Sequence, residues 1–391
     1  MKTRTFRITE LPAIVLGSFQ QIRAAAMVVK KRMRNGLLAV ACLAVSAGAQ
    51  AGYSNLFLFG DSLSDTGNNA FVFDVVGASQ GYPPGTLRTP MVTPDNSFIP
   101  TYPYSASNVY SNGPVWASTF ASALGLSANP SLLPGGTNYA YGGARVGPLG
   151  ERNPFLDFPN NFPPSLTTQV DTFLFQHVNQ APSSALYVVA GGGNDARDLI
   201  PKAAAILFAS GGDLDAARQG IAADVQIYAA YVDTMVNLLE LAGAKDVVVW
   251  NTPNAGLAPA VRAQGPGVDL AGTLVSEEMN KALASALADD IADPTDDVRI
   301  FDLFGISTVV ASNPAAYGLT NVTNACSAVA NAAACVQDAY RYFFWDGIHP
   351  TAVMHGVLAG AMVAFVPEPG VMALLALGLL GIAATRKRQI L

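Results

Sequence analysis

The sequence predicts an α/β fold in which a parallel sheet is covered by helices on both faces. Four short apolar runs carry that prediction: Asn55–Phe59, Ala185–Ala190, Asp246–Trp250 and Val298–Leu303. Helical patterns separate them, at about Gly113–Leu124, Leu214–Leu241, Leu270–Ile291 and Thr351–Phe365. Apolar runs without polar alternation suit strands buried on both sides, and strand–helix alternation builds a parallel sheet.

The first run ends at Gly60-Asp61, as a buried strand feeding a turn should. The second leads into Gly191-Gly192-Gly193, and the third into Asn251. In folds of this class ligands bind beyond the carboxyl ends of the strands. Ser62 and Asn194 therefore fall at the edge where chemistry is expected. Residues 77–112 differ, with Pro83, Pro84, Pro90, Pro94, Pro100 and Pro103 interleaved with Tyr82, Tyr102, Tyr104 and Tyr110. A loop this long is usually functional, and it reads as an insertion near the mouth of the site, a candidate lid.

Of the 391 residues, 51% are hydrophobic and 13% charged, enough to bury a sizeable core. No linker divides residues 53–366, which read as one domain. The net charge of −6 conceals an uneven distribution. Residues 52–385 hold 11 basic residues against 27 acidic ones, a balance of −16. Nucleic-acid binding leans on Lys and Arg contacts to phosphate, so a nucleic-acid partner is excluded.

Both ends read as processing segments. Lys30, Lys31, Arg32 and Arg34 precede the apolar run Gly36–Ala47 and the small-residue site Ala49-Gln50-Ala51, which together form a secretory signal cleaved after Ala51. Translation from Met27 would give that signal an ordinary length. At the other end Pro367-Glu368-Pro369 precedes an apolar stretch, 371–384, and then Arg386-Lys387-Arg388. That stretch is short for a span of ~20 residues. The arrangement resembles the PEP-CTERM sorting signal of Gram-negative bacteria. The resemblance implies an exosortase as partner, transient membrane contact, and delivery to the cell surface, envelope or extracellular matrix. In an oxidising compartment Cys326 and Cys335, nine residues apart, are expected to bridge. Two cysteines without nearby histidines make no tetrahedral metal site, and no metal or other cofactor is expected.

Three strings carry candidate chemistry. Gly60-Asp61-Ser62-Leu63 places a serine hydroxyl just past a buried strand, although a Gly-Asp-Ser turn is also a common helix start. A nucleophilic serine needs a base, and the base needs a partner to fix its tautomer. The histidines are His177, His349 and His355, and His349 alone has a carboxylate, Asp346, three residues upstream, with Gly347 between them. His355 falls within the following helix, and His177 has no evident role. Asn194, in Gly191-Gly192-Gly193-Asn194-Asp195, and the glycines in Asn138-Tyr-Ala-Tyr-Gly142-Gly143-Ala144 can supply oxyanion donors.

Gly60-Asp-Ser-Leu63, Gly142-Gly143, Gly192-Gly-Asn-Asp195 and Asp346-Gly-Ile-His349 stand in the order of the GDSL/SGNH hydrolase blocks and span nearly the whole body. Tyr110–Trp116 is similar to a further segment of that family. The resemblance implies a three-layer α/β/α sandwich of SGNH-hydrolase, flavodoxin-like type, and metal-free acyl-ester hydrolysis. It implies Ser62 as nucleophile, His349 and Asp346 as its acid–base pair, and Ser62 N–H, Asn194 and a glycine as oxyanion donors. Gly142 and Gly143 both match the glycine, with Gly142 preferred. Asp65 and Asp195 are assigned turn and capping roles. The same triad would serve a deacetylase acting on acetylated glycan, and a non-catalytic surface binder is the alternative of another class. Gly77-Ala-Ser79-Gln-Gly81 matches a nucleophile elbow, but the following Tyr82-Pro-Pro-Gly85 cannot open the helix that motif requires.

Overall fold

The structure is a computed structural model that describes residues 52–90, 95–148, 162–328 and 332–366. The signal region 1–51 and the sorting segment 367–391 lie outside the described residues. Four strands, β1 (Leu56–Gly60), β2 (Leu186–Ala190), β3 (Asp246–Trp250) and β4 (Asp297–Phe301), form one parallel sheet in sequence order. The register is direct, with Leu56 opposite Leu186, Leu186 opposite Asp246 and Asp246 opposite Asp297. Both faces of β1 and β2 are buried, which is why these strands read as unbroken apolar runs.

Helices cover each face, giving the three layers. The helices of five or more residues, in order among the described residues, are α1 (Asn68–Ser79), α2 (Trp116–Ala123), α3 (Leu166–Gln176), α4 (Gly193–Ala209), α5 (Leu214–Leu241), α6 (Val268–Ala286), α7 (Ala288–Ala292), α8 (Leu303–Ser312), α9 (Ala332–Asp338) and α10 (Ala352–Phe365). Helices α4, α5 and α6 pack on one another, and α3 joins them against β1. On that side Phe57 meets Phe173 at a ring separation of 4.7 Å and Tyr187 at 5.4 Å. Helices α2 and α10 pair on the other side. There Trp250 lies 4.2 Å from Trp116 and 4.7 Å from Phe301, with Phe365 beyond at 5.4 Å. Truncating any of the buried rings among these to alanine, a set that leaves out the partly buried Phe365, would cost roughly 3–5 kcal/mol.

The helix expected over 270–291 runs as two, because the chain turns at Leu287. The strand expected to reach Leu303 stops at Phe301, since the Asp302 side chain accepts from Gly305 N–H and starts α8. The outer edge of β1 is closed by residues 137–141. Leu58 N–H donates to Thr137 O, Tyr139 N–H to Leu58 O and Tyr141 N–H to Gly60 O. The Gln169 amide completes that edge, accepting from Gly60 N–H at 2.8 Å and donating to Gly60 O at 2.9 Å. Buried backbone groups must find partners, and this clamp sets the direction in which the chain leaves β1.

Residues 77–112 are not one loop. Gly77–Ser79 end α1, and Ser79 is exposed with its hydroxyl on Val76 O, so no strand precedes it. Within the described part of the remainder, Tyr104 is buried in a small second cluster with Cys326, Cys335, Ala339 and Trp345. Cys326 and Cys335 form a disulfide with Cα atoms 5.4 Å apart. Beside them β5 (Asn321–Ala325) and β6 (Tyr342–Phe344) form a short parallel pair.

Candidate active site

Three segments converge at the carboxyl ends of β1 and β2. Ser62 sits two residues past β1, and its Oγ lies 2.8 Å from His349 Nε2. His349 Nδ1 lies 2.8 Å from Asp346 Oδ2. The other oxygen, Asp346 Oδ1, accepts from Ile348 N–H at 2.9 Å and His349 N–H at 2.8 Å. All three residues are buried, Asp346 completely. The turn between acid and imidazole needs a glycine. A Cβ on Gly347 would lie 2.5 Å from Phe98 O, which in fact accepts from Gly347 N–H at 2.9 Å.

Tyr104 was not among the candidate site residues, yet its hydroxyl donates to Asp346 Oδ2 at 2.8 Å. That oxygen therefore serves both Tyr104 and His349. Trp345 backs the arrangement, with its ring 5.9 Å from that of Tyr104 and its backbone N–H donating to His349 O. The Pro- and Tyr-rich segment thus reaches behind the acid as well as lining the mouth.

The glycine pair is held against β1 by Asp65. Asp65 Oδ1 accepts from Gly67 and Asn68 N–H, while Oδ2 accepts from Asn69 N–H at 3.3 Å and Gly142 N–H at 3.0 Å. Asp65 thereby starts α1 and anchors Gly142 together. A Cβ on Gly142 would fall 2.1 Å from the Tyr110 ring. Gly143 follows at φ +86°. Neither its N–H nor that of Ser62 makes a hydrogen bond among the described residues. Asn194, in the first turn of α4, donates one amide hydrogen to Ala144 O at 2.9 Å, leaving the other. Asp195 accepts from Val146 N–H, as a turn residue would.

Two cavities meet at Ser62, Asn194, Arg197, Ile348 and His349. One, of about 100 Å³, is walled mainly by apolar side chains, among them Ile200, Val261, Phe344, Met354 and Leu358. The other is an open groove of about 280 Å³ bordered by Thr101, Tyr110, Gly142, Gly143 and Arg145. The other two histidines stand apart from this relay. His177 packs its ring on Phe57 and Phe173. His355 is buried and accepts from Trp116 N–H at 3.2 Å.

Burial pushes the Asp61 carboxyl from 3.8 up to about 6, although Leu63 N–H and the charges of His349 and Arg197 lower it. Burial likewise raises Asp65 to about 6, against its four N–H donors. The folded chain keeps these protons to higher pH than the unfolded chain. Their contribution to stability is therefore complete below pH 3.8 and lost as pH rises through about 6. His355 opposes them: burial and the nearby His349 hold it down at about 3, so its contribution is present above 6.5 and is lost as pH falls through that range. Asp61→Asn keeps the acceptor for Leu63 and removes one buried charge. It is expected to reduce the loss of stability between pH 4 and 7 by up to about 3 kcal/mol. Urea unfolding at the two pH values checks this, and an unchanged difference refutes it.

A family model described as GDSL-like Lipase/Acylhydrolase matches residues 56–362. A second, described as a PEP-CTERM protein-sorting motif, matches residues 365–388. That motif marks chains for export, envelope or surface association and exosortase processing in Gram-negative bacteria. No helix among the described residues is long and apolar enough to cross a membrane. A GDSL esterase/lipase of Arabidopsis thaliana is 26% identical over 346 residues, covering 80% of this chain and 90% of the relative. A phosphatidylcholine-sterol acyltransferase of Aeromonas hydrophila is 24% identical over 375 residues, covering 84% of this chain and 95% of the relative.

Proposed function

Because the chain belongs to the GDSL-like lipase/acylhydrolase family, we propose that it is an exported serine hydrolase of acyl esters, with Ser62 as nucleophile, His349 as general acid–base and Asp346 as the carboxylate that orients the imidazole. The continuous relay from Asp346 through His349 to Ser62, at 2.8 Å for each step and at the junction of two cavities, carries this reading.

His349 Nε2 takes the Ser62 proton as Oγ bonds to the ester carbonyl carbon. Ser62 N–H, Gly143 N–H and the free Asn194 amide hydrogen receive the oxyanion. Gly143 replaces Gly142 in that role because the Gly142 N–H is already committed to Asp65. The carbon–oxygen bond to the alcohol then breaks, and the alcohol leaves with the proton from His349. Water attacks the acyl-serine, giving one proton to His349, and Ser62 recovers that proton as the acid departs. The net reaction is ester plus water giving acid plus alcohol. The sorting motif directs this activity to the cell surface or matrix.

Tyr104 is a positioning residue, holding Asp346 through the oxygen that faces His349. Tyr104→Phe is expected to lower kcat/KM by roughly tenfold. Relieved of one donor, the carboxylate stabilises the imidazolium more, so the rising limb of the kcat/KM–pH profile should move to higher pH. A loss of activity without movement of that limb would leave Tyr104 a packing residue only.

The reading itself is tested by labelling the full chain with a fluorophosphonate and measuring p-nitrophenyl ester hydrolysis. Labelling at Ser62 with turnover supports it; a chain that neither labels nor turns over is a binder.

A further inference from the structure

Resting on the hydrolase reading, we infer that the open groove receives an alcohol carrying an anionic phosphate group, read by Arg197, while the apolar cavity receives the acyl chain. Arg197 lies three residues after Asn194 on α4, so both sit on one helix face, and Arg197 borders both cavities. It makes no hydrogen bond and no ion pair among the described residues, unlike Arg145. The Arg145 guanidinium is engaged by Asp198 at 2.6 and 3.0 Å and by Gly143 O at 3.2 Å.

The charge around the groove runs against that of the molecule. Residues 52–385 carry a balance of −16 with 11 basic residues, yet two of those border the groove and no carboxylate does among its described lining residues. Asp61 borders the apolar cavity instead, so an anion is favoured on the groove side and disfavoured on the acyl side. Asp61, Asp195 and Asp198 attract Arg197 from a distance. Burial and the charge of Arg145 nevertheless hold its guanidinium below the ordinary value. An incoming phosphate would relieve both, and a guanidinium fork matches phosphate geometry. The apolar cavity, about 100 Å³ in volume and walled by Ile200, Val261, Phe344, Met354 and Leu358 with few polar groups, favours a fatty-acyl ester over an acetylated acidic glycan.

The test compares hydrolysis of 1-hexanoyl-glycerol 3-phosphate and its neutral analogue 1-hexanoyl-glycerol by the full chain at low salt. The phosphate ester should have the higher kcat/KM by roughly tenfold or more, and salt should narrow the gap. Arg197→Gln should bring the ratio close to one, and Arg197→Lys should restore part of it. Should Arg197→Gln fail to fold, the salt dependence of the parent's ratio and the lysine variant decide. Equal rates on the two esters overturn the inference while leaving the hydrolase intact, as does a ratio unmoved by Arg197→Gln. Preference for an acetylated oligouronate over both esters overturns it in favour of a glycan. Failure on every ester together with failure to label at Ser62 overturns the hydrolase reading as well.

Discussion

Ser62→Ala is expected to reduce kcat by about 10⁴- to 10⁶-fold while leaving the fold in place. The side chain is small, and among the described residues its Oγ makes one hydrogen bond, to His349. Its removal deletes the bond-forming atom and little packing. Circular dichroism and thermal unfolding should superpose on the parent, and the fluorophosphonate label should vanish. If Ser62→Ala hydrolyses p-nitrophenyl esters as the parent does, the nucleophile lies elsewhere. The residual rate is informative too. Binding and oxyanion donors act without the nucleophile, so a remainder above the uncatalysed rate is expected.

Asp346→Asn is expected to cost about 10⁴-fold in kcat by a different route. The asparagine has nearly the same shape and can still accept from Ile348 and His349 N–H through one oxygen. Its amide, however, would be a donor where His349 Nδ1 and the Tyr104 hydroxyl both need an acceptor. The imidazole would be driven to the tautomer that presents a hydrogen to Ser62 and could no longer take its proton. If the amide instead turns outward, the two backbone donors lose their acceptor and stability falls. Steady-state kinetics with urea unfolding separates these outcomes. A variant within tenfold of the parent in kcat would remove Asp346 from the relay.

The parts of this site that were legible in the sequence are those whose chemistry is local. Asp346 and His349 share one short turn, and Ser62 follows an apolar strand ending in glycine. The residues that the sequence does not reveal act across long separations. Tyr104 meets Asp346 across 242 residues, and no spacing encodes that contact. Arg197 carried no signal because its meaning lies in having no hydrogen-bond or ion-pair partner among the described residues, which only packing reveals. The proposed choice of Gly143 over Gly142 has the same origin, since the Gly142 N–H donates to Asp65 from 77 residues away.

The same division runs through the fold. The runs at β1, β2 and β3 were legible because burial on both faces leaves them uniformly apolar. Helix α5 was legible because it is long and amphipathic, with Asp213 capping its start. Helices α1, α3, α4, α8 and α9 were not legible. Helix α1 opens on Asn68-Asn69, whose side chains are buried for hydrogen bonds to other segments. Helix α4 begins inside a glycine run that reads as a turn and contains Pro201.

The distance along the chain between Ser62 and His349, 287 residues, also bears on biosynthesis. The serine enters the translocation channel early, and its base arrives only with the last described turn before α10. On the proposed reading, a nascent or stalled chain therefore holds an inert hydroxyl, and hydrolytic competence is expected only once nearly the whole body has crossed and folded.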